Sequence, residues 1–208
     1  MVSKFMASQY ALPRGLFGRL VTSFVLNRSN RLSNRSVLDA MNINAEDSVL
    51  EVGFGGADLL VRIAQEKAPA RLVGVEKSAD MINRGRSLLE KNAPDQDAEL
   101  LLGEIESLPL TDGEFDVICS VNTIYFWSDL GVCAKELRRV ARPGGQLVIG
   151  YSTGIKLVES GYTEYGFRFY RRNEVDTALW DAGWQLKSSI QIARRNKDLF
   201  IVSTYDRT

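Results

Sequence analysis

Apolar positions along the chain alternate between two periods. Short, nearly continuous apolar runs are separated by longer stretches in which apolar residues recur every three or four positions. Runs of the first kind suit strands buried on both faces of a parallel sheet, and the others suit helices that lay one face on it. The pattern predicts strands at Val49–Val52, Arg71–Glu76, Glu99–Gly103, Asp116–Asn122 and Gln146–Tyr151. Between them it predicts a helix over Ala57–Lys67, stopped by Pro69, and a second from Ser78 as N-cap to Asn92. A third follows Ser128, with the stripe Leu130, Cys133, Ala134, Leu137, Val140 and Ala141.

Arg142-Pro143-Gly144-Gly145 breaks that helix and turns the chain into the fifth strand, and residues 152–172 read as irregular. Asn173 caps a further helix, with Asp176 three residues on, and Gly183 closes it as the C′ residue. Two alternating segments, Gln185–Ala193 and Leu199–Tyr205, flank Arg195-Asn196-Lys197-Asp198 and read as a closing hairpin. Upstream, the stripe at positions 16, 17, 20, 21, 24 and 25 predicts a helix over Gly15–Leu26, and a second runs from Asn34 to Met41. The expected fold is α/β: a doubly wound, mainly parallel, seven-stranded Rossmann-like sheet ending in an antiparallel hairpin. Residues 1–44 form an N-terminal helical cap or lid, and 45–208 form the main domain.

Composition narrows the chemistry. At 208 residues and 45% hydrophobic, the chain suits one domain with a sizeable core. No apolar run approaches the roughly 20 residues that span a bilayer. Pro13, Gly15, Gly18 and Arg19 interrupt any signal-peptide pattern. Cys119 and Cys133 fall inside regular elements as small buried hydrophobes, so a reduced, cytoplasmic setting is expected. The chain contains no histidine, which argues against a serine triad or a zinc centre, and no metal ligands are assigned. The net charge of zero is uneven: Lys4, Arg14, Arg19, Arg28, Arg31 and Arg35 precede the first acid, Asp39, leaving −6 on the remainder. That basic segment reads as a solvated helix face, with contact to an anionic acceptor or a weak contact to an anionic membrane surface as alternatives.

Candidate chemistry centres on Val49–Gly56, where a strand runs into a glycine cluster and then a helix start. Glycines there permit unusual backbone angles and close approach of a ligand to the main chain. The free amides of the following helix N-terminus hold polar ligand atoms. Glu76 ends the second strand twenty residues after Gly56, a distance that places an acid on ribose hydroxyls.

Five motifs in register carry a resemblance. These are Glu51-Val52-Gly53-Phe54-Gly55-Gly56, Glu76, Gly103–Pro109, Phe115-Asp116-Val117-Ile118 and Arg142–Gly145. In order and spacing the chain resembles the class I S-adenosylmethionine-dependent methyltransferases over residues 45–205. The resemblance implies S-adenosylmethionine as cofactor, its methionine moiety held by Glu51 and the backbone of Gly53, Phe54, Gly55 and Gly56. It implies Glu76 on the ribose, Lys77 and Met81 flanking the adenine, Glu104 on the adenine amino group, the Ile105 amide on the ring, and the Asn122 carbonyl near the sulfonium. One of Glu104 and Glu106 is then a solvated loop acid. Ala57 stands where the family's third glycine would fall, and Glu104 where an Asp is usual.

Tyr125, Phe126 and Trp127 follow the fourth strand and cannot all face one core, so at least one lines a pocket. The acceptor pocket is assigned to Phe17, Tyr125, Trp127 and Tyr151, closed by the Leu16–Leu26 helix. No catalytic residue is named, because an in-line methyl transfer needs alignment and exclusion of water more than a base. The expected partner is a small molecule. Nucleic acid is disfavoured by the acidic body and by Asn122-Thr123-Ile124-Tyr125 in place of an Asn-Pro-Pro-Tyr motif. Two other readings stay open: a catalytically silent cofactor-binding subunit, and a nicotinamide-dependent oxidoreductase. The latter lacks its G-x-G-x-x-G, since Asp58 takes the last position.

Overall fold

The five apolar runs become parallel strands, four of them close to the expected bounds and the fifth starting five residues early: β1 Ser48–Val52, β2 Arg71–Glu76, β3 Ala98–Leu102, β4 Phe115–Val121 and β5 Ala141–Ser152. The computed structural model of the chain describes residues 23–153, 163, 167–193 and 199–208. Strands β6 (Trp184–Ala193) and β7 (Leu199–Arg207) are the expected antiparallel pair. The sheet order is β3-β2-β1-β4-β5-β7-β6, with β7 inserted antiparallel between β5 and β6. The doubly wound, mainly parallel, seven-stranded sheet is therefore present. The order in which strands are added reverses between parallel neighbours β1 and β4, the switch point beyond whose carboxyl ends ligands bind in sheets of this kind.

Alternate residues of each strand feed two cores. Leu50, Val52, Ile118, Ile149 and Tyr151 pack under α4 (Leu130–Val140) and α5 (Arg172–Asp181). Val49, Val117, Cys119, Val148 and Val202 pack under α1 (Ser23–Ala40), α2 (Asp58–Glu66) and α3 (Ala79–Asn92). Both cysteines are free and buried, as small hydrophobes should be.

Several local expectations change. The Asn34–Met41 helix is the last part of one longer helix, α1, described from Ser23 and running through Asn27–Asn30; the rest of the Gly15–Leu26 stripe lies outside the described residues. Val37 and Leu38 of α1 are fully buried against the sheet, so the folded body begins before residue 45. Asp129, not Ser128, caps α4, its carboxylate accepting from the Val132 amide at 2.9 Å. α5 starts two residues earlier than expected, because Glu174 accepts from the Arg171 amide at 2.6 Å and leaves Asn173 inside the helix. Ser78 holds its N-cap position without a side-chain bond. Gly183 does take up the left-handed C′ conformation, φ +88°.

Arg142–Gly145 is a bulge within β5 rather than a break before it. The pairing jumps from Phe115–Ala141 to Val117–Gln146, so β5 carries three more residues than β4 over that interval.

Gly150 sets the distance between α1 and the sheet. A Cβ there would lie 2.5 Å from Val37 Cγ2 and 2.8 Å from the Phe200 ring. Gly150→Val should therefore lower stability by about 1–3 kcal/mol through overpacking, read as an earlier urea midpoint. Adding Val37→Ala should recover part of the loss. An unchanged midpoint for the single variant would mean that α1 does not seat on β5 as described.

Candidate active site

The glycine turn is crowded at one end and open at the other. Gly53 has φ +74° and donates its amide to the Val75 carbonyl at 2.7 Å, while a Cβ on it would come 2.5 Å from Thr123 Cγ2. Only glycine fits that contact and that angle together. Gly55 has φ +48°, yet nothing lies within 4 Å of where its Cβ would be. The space over Gly55 is thus open. Phe54 contributes only its backbone to this turn; its ring fills the gap over Gly74 and Gly85 in the core. Ala57 also adopts a left-handed conformation, φ 59°, so a residue with a Cβ bears strain where glycine would be relaxed.

Two buried acids flank the turn. Glu76 is 8% exposed, and its two carboxylate oxygens accept from Gly55 N and Ser78 N, both at 3.0 Å. Burial pushes its carboxyl above the ordinary range, opposed by those amides and by Lys77. Glu51 is 3% exposed and lies on β1 under the first turn of α2. One of its oxygens accepts from the Leu60 amide, whereas Oε2 is buried with no hydrogen-bond partner. Burial, with the charges of Asp58 and Glu76 behind it, pushes its carboxyl up to about 8. A buried oxygen of this kind is satisfied by a cationic donor, as the ammonium of a methionine moiety would be. Asp58 is itself held by Asn34 of α1 at 3.0 Å and Arg62 at 2.8 Å, which ties α1 to the helix that leaves the turn.

The other expected residues separate into two groups. Glu104 is exposed just beyond β3, in a loop brought beside Glu76 by the Gly103 amide bonding to the Glu76 carbonyl at 3.2 Å. Ile105 is half-buried against the core. Glu106 is committed elsewhere, accepting from the Ser128 amide at 3.1 Å and hydroxyl at 2.8 Å. Burial raises its carboxyl, but those bonds prevail and the net shift is downward. Met81 sits within the core rather than on the open face, and Lys77 is exposed, its ammonium 5.1 Å from the Phe126 ring centre.

Asn122 ends β4 at φ 56°, its amide bonded to the Gly150 carbonyl at 2.7 Å and its side-chain oxygen taking the Tyr125 hydroxyl at 3.2 Å. The Tyr125 oxygen also accepts from Ser152 N at 2.5 Å.

The aromatic triplet resolves differently from the expectation. Trp127 is buried and anchored, Nε1 donating to Thr123 Oγ1 at 3.1 Å, and Thr123 in turn lies 2.5 Å from Ser120 Oγ, which donates to Val52 O. Trp127 is therefore a support of the loop and not a pocket wall. Phe126 is the member left half-exposed, because the 3₁₀ turn Ile124–Phe126 points its two neighbours inward. It meets Phe167 edge to face at 4.7 Å, and Tyr125 meets Phe169 at 5.3 Å, so that Tyr125, Phe126, Phe167 and Phe169 form one wall. Arg168 N to Tyr125 O, 2.9 Å, and Tyr170 OH to Trp127 O, 3.3 Å, fasten residues 167–170 along that loop. The alternation in Phe167-Arg168-Phe169-Tyr170 was the sequence signal for this wall. Tyr151 lies fully buried behind it with its hydroxyl unpartnered, and burial raises that hydroxyl. Phe17 lies outside the described residues. Among the described residues no cluster of His, Cys, Asp or Glu could hold a metal.

The turn, the paired acids and the switch point agree with what comparison finds. A family model described as a methyltransferase domain matches residues 50–149. Over those residues the chain is similar to the class I S-adenosylmethionine-dependent methyltransferases. The methyltransferase YdaC of Bacillus subtilis, itself named as uncharacterized, is 26% identical over 62% of this chain and 70% of its own. The ubiquinone/menaquinone biosynthesis C-methyltransferase UbiE of Hahella chejuensis is 28% identical over 66% of this chain and 57% of its own. The chain spans about half the length of most curated relatives it matches. In fold it is similar to geranyl diphosphate C-methyltransferase of Streptomyces coelicolor, solved with S-adenosyl-L-homocysteine. The TM-score is 0.77 at 15% identity, over 88% of this chain and 78% of that one. The cofactor of the domain is S-adenosylmethionine, which removes the nicotinamide reading.

Two expectations follow from the acids. Folded Glu51 keeps its proton up to about pH 8, whereas the unfolded chain loses it near its ordinary value of 4.5. Stability of the cofactor-free protein should therefore fall as pH rises through that window and level off above it. Relative to wild type, Glu51→Gln should gain on the order of 2–4 kcal/mol between pH 5 and pH 8 in urea unfolding. A constant difference across that range would mean Glu51 is ionised throughout.

Glu76→Ala should weaken S-adenosylmethionine binding by about 1.5–3 kcal/mol in calorimetry, and should also cost stability, since two buried amides lose their acceptor. Wild-type affinity in that variant would remove Glu76 from the ribose.

Proposed function

We propose that this protein transfers the methyl group of S-adenosylmethionine to a small, apolar, planar acceptor. The observation that carries the reading is an aromatic wall, Phe126 and Phe169 half-exposed and backed by buried Phe167, set beside the open glycine turn. The cofactor supplies an activated methyl group on a sulfonium, so the chain's own residues have to bind, orient and exclude water.

Glu51 would take the cofactor's ammonium on Oε2 and lose its proton as it does so. The amides at the turn would face the carboxylate, Glu76 would hold the ribose, and Glu104, the freer of the two loop acids, would reach the adenine. Asn122, fixed by Gly150 and Tyr125, would present its carbonyl beside the sulfonium. Phe126 would slide an acceptor ring along its face, and its contact with the Lys77 ammonium marks that face as one that attracts positive charge.

No histidine is available as a base, and the Tyr125 hydroxyl is already bonded to Asn122 and Ser152. An acceptor that is itself a good nucleophile, such as an enolised quinone carbon or a phenolate, suits such a site. Relatives named as quinone C-methyltransferases and as a malonyl-[acyl-carrier protein] O-methyltransferase make carbon and oxygen the atoms to test first. The N-terminal helix would close the crevice, and Asn34 already joins it to the turn through Asp58. Buried reduced cysteines and the absence of a membrane-spanning helix among the described residues support a cytoplasmic setting.

The test is transfer of labelled methyl from S-adenosylmethionine into extracted metabolites, partitioned between organic and aqueous phases. Label in the organic phase is expected. Phe126→Ala should raise the acceptor KM by about tenfold, the scale of a lost aromatic contact, while leaving cofactor affinity unchanged. Cofactor binding with no labelled product from any extract would favour the silent partner-subunit reading instead.

A further inference from the structure

The end of the sheet opposite the cofactor holds a second, chemically distinct cleft. It occupies about 500 Å³ between α4, the bulge of β5, the end of α5 and the last residues of β7. Its lining brings together Lys135, Arg138 and Arg139 from α4 and Arg207 from β7, against one acid, Asp112, with Pro143 on its wall. The body of the chain carries a net negative charge, so four cations converging on one concavity run against the composition.

Arg139 is neutralised, bonded to Glu136 at 2.8 Å and Asp112 at 2.7 Å. The other three cations make no ion pair with an acidic side chain among the described residues. Arg138 reaches the main-chain oxygens of Thr208 at 2.8 Å and Gly183 at 3.4 Å, and Arg207 donates to the Ala141 carbonyl. Each guanidinium carries five N–H donors, so these bonds leave donors over on both. The carbonyl end of α4 attracts cations in its own last turn, which accounts for Arg138 and Arg139. It does not account for Arg207, which comes from another element, or for Lys135, one turn earlier and exposed.

We propose that this cleft binds a small phosphorylated anion, with Arg207 and Arg138 as planar donors and Lys135 as a point charge. Guanidinium groups match phosphate oxygens in pairs, and a lysine at the rim adds attraction without demanding geometry. The volume is that of a small-molecule site, larger than a single inorganic phosphate needs, so a diphosphate or a phosphate ester fits it better. The cleft lies at the amino ends of β4 and β5, so its ligand and the cofactor occupy opposite ends of the sheet and do not compete. The inference is independent of the methyl acceptor.

The experiment uses the full chain and sodium pyrophosphate as the probe, with sodium chloride at matched ionic strength as the control. Calorimetry should show saturable pyrophosphate binding that persists in saturating S-adenosylmethionine. Lys135→Glu removes no described bond, so it should keep the wild-type melting temperature and cofactor affinity while weakening pyrophosphate by about tenfold. Arg207→Gln should weaken it as well. Binding reproduced by chloride, unchanged affinity in Lys135→Glu, or competition with S-adenosylmethionine would each overturn the assignment. Binding of short RNA or anionic vesicles through Lys135 with none of pyrophosphate would overturn it too, and would make the patch a macromolecular surface.

Discussion

One carboxylate ties together the turns that leave two neighbouring strands. Glu76 leaves the end of β2 and divides its oxygens between the amide of Gly55, in the loop after β1, and the amide of Ser78, which opens α3. Each of those amides is a helix-entry donor without a partner inside its own helix. The same side chain thereby closes the accounting at two crossovers and sets how far apart they stand. Because it is nearly buried, the arrangement tolerates little slack: a carboxylate stripped of water has to keep every donor it has. The geometry a ligand meets at this end is thus determined before the ligand arrives.

Glu51, buried on β1, is in the complementary condition. It has one donor too few, and it is neutral over much of the range in which other carboxyls are charged. A site with one acid fully engaged and one acid left wanting has a built-in polarity. The uncharged acid costs less to bury than a carboxylate would, and that cost is recovered only when a cation enters. Asp58 sharpens this by adding a negative charge nearby, and Asn34 and Arg62 keep Asp58 in place to do so.

The fold was legible because its signals are local and repeated. Apolar runs such as Val117–Val121 and the punctuation at Pro69 and Pro94 located strands and helices within a residue or two. The glycine turn and Glu76 were legible for a related reason, as backbone geometry and a fixed spacing impose them. What escaped depends on neighbours distant in the chain. Ser128 and Asp129 are equally good caps on paper; Glu106, more than twenty residues away, takes the serine and leaves the cap to the aspartate. Trp127 and Phe126 exchange roles because Thr123 and Ser120 hold the indole inward. The basic cleft was invisible for the same reason, since Lys135 and Arg207 meet only once β7 has returned along β5.

That return has a consequence for how the molecule is made. β7 follows β6 in the chain yet lies between it and β5, so β6 emerges from the ribosome with no neighbour to pair with. The five strands from β3 to β5 can assemble while this edge is still missing. β5 must then keep a row of unpaired amides exposed until residues as far on as Asp206 arrive opposite Gln146. Pairing over that separation is slow to close compared with a hairpin. The interval is the one in which a nascent chain would be most open to capture by a chaperone or by another unfinished copy.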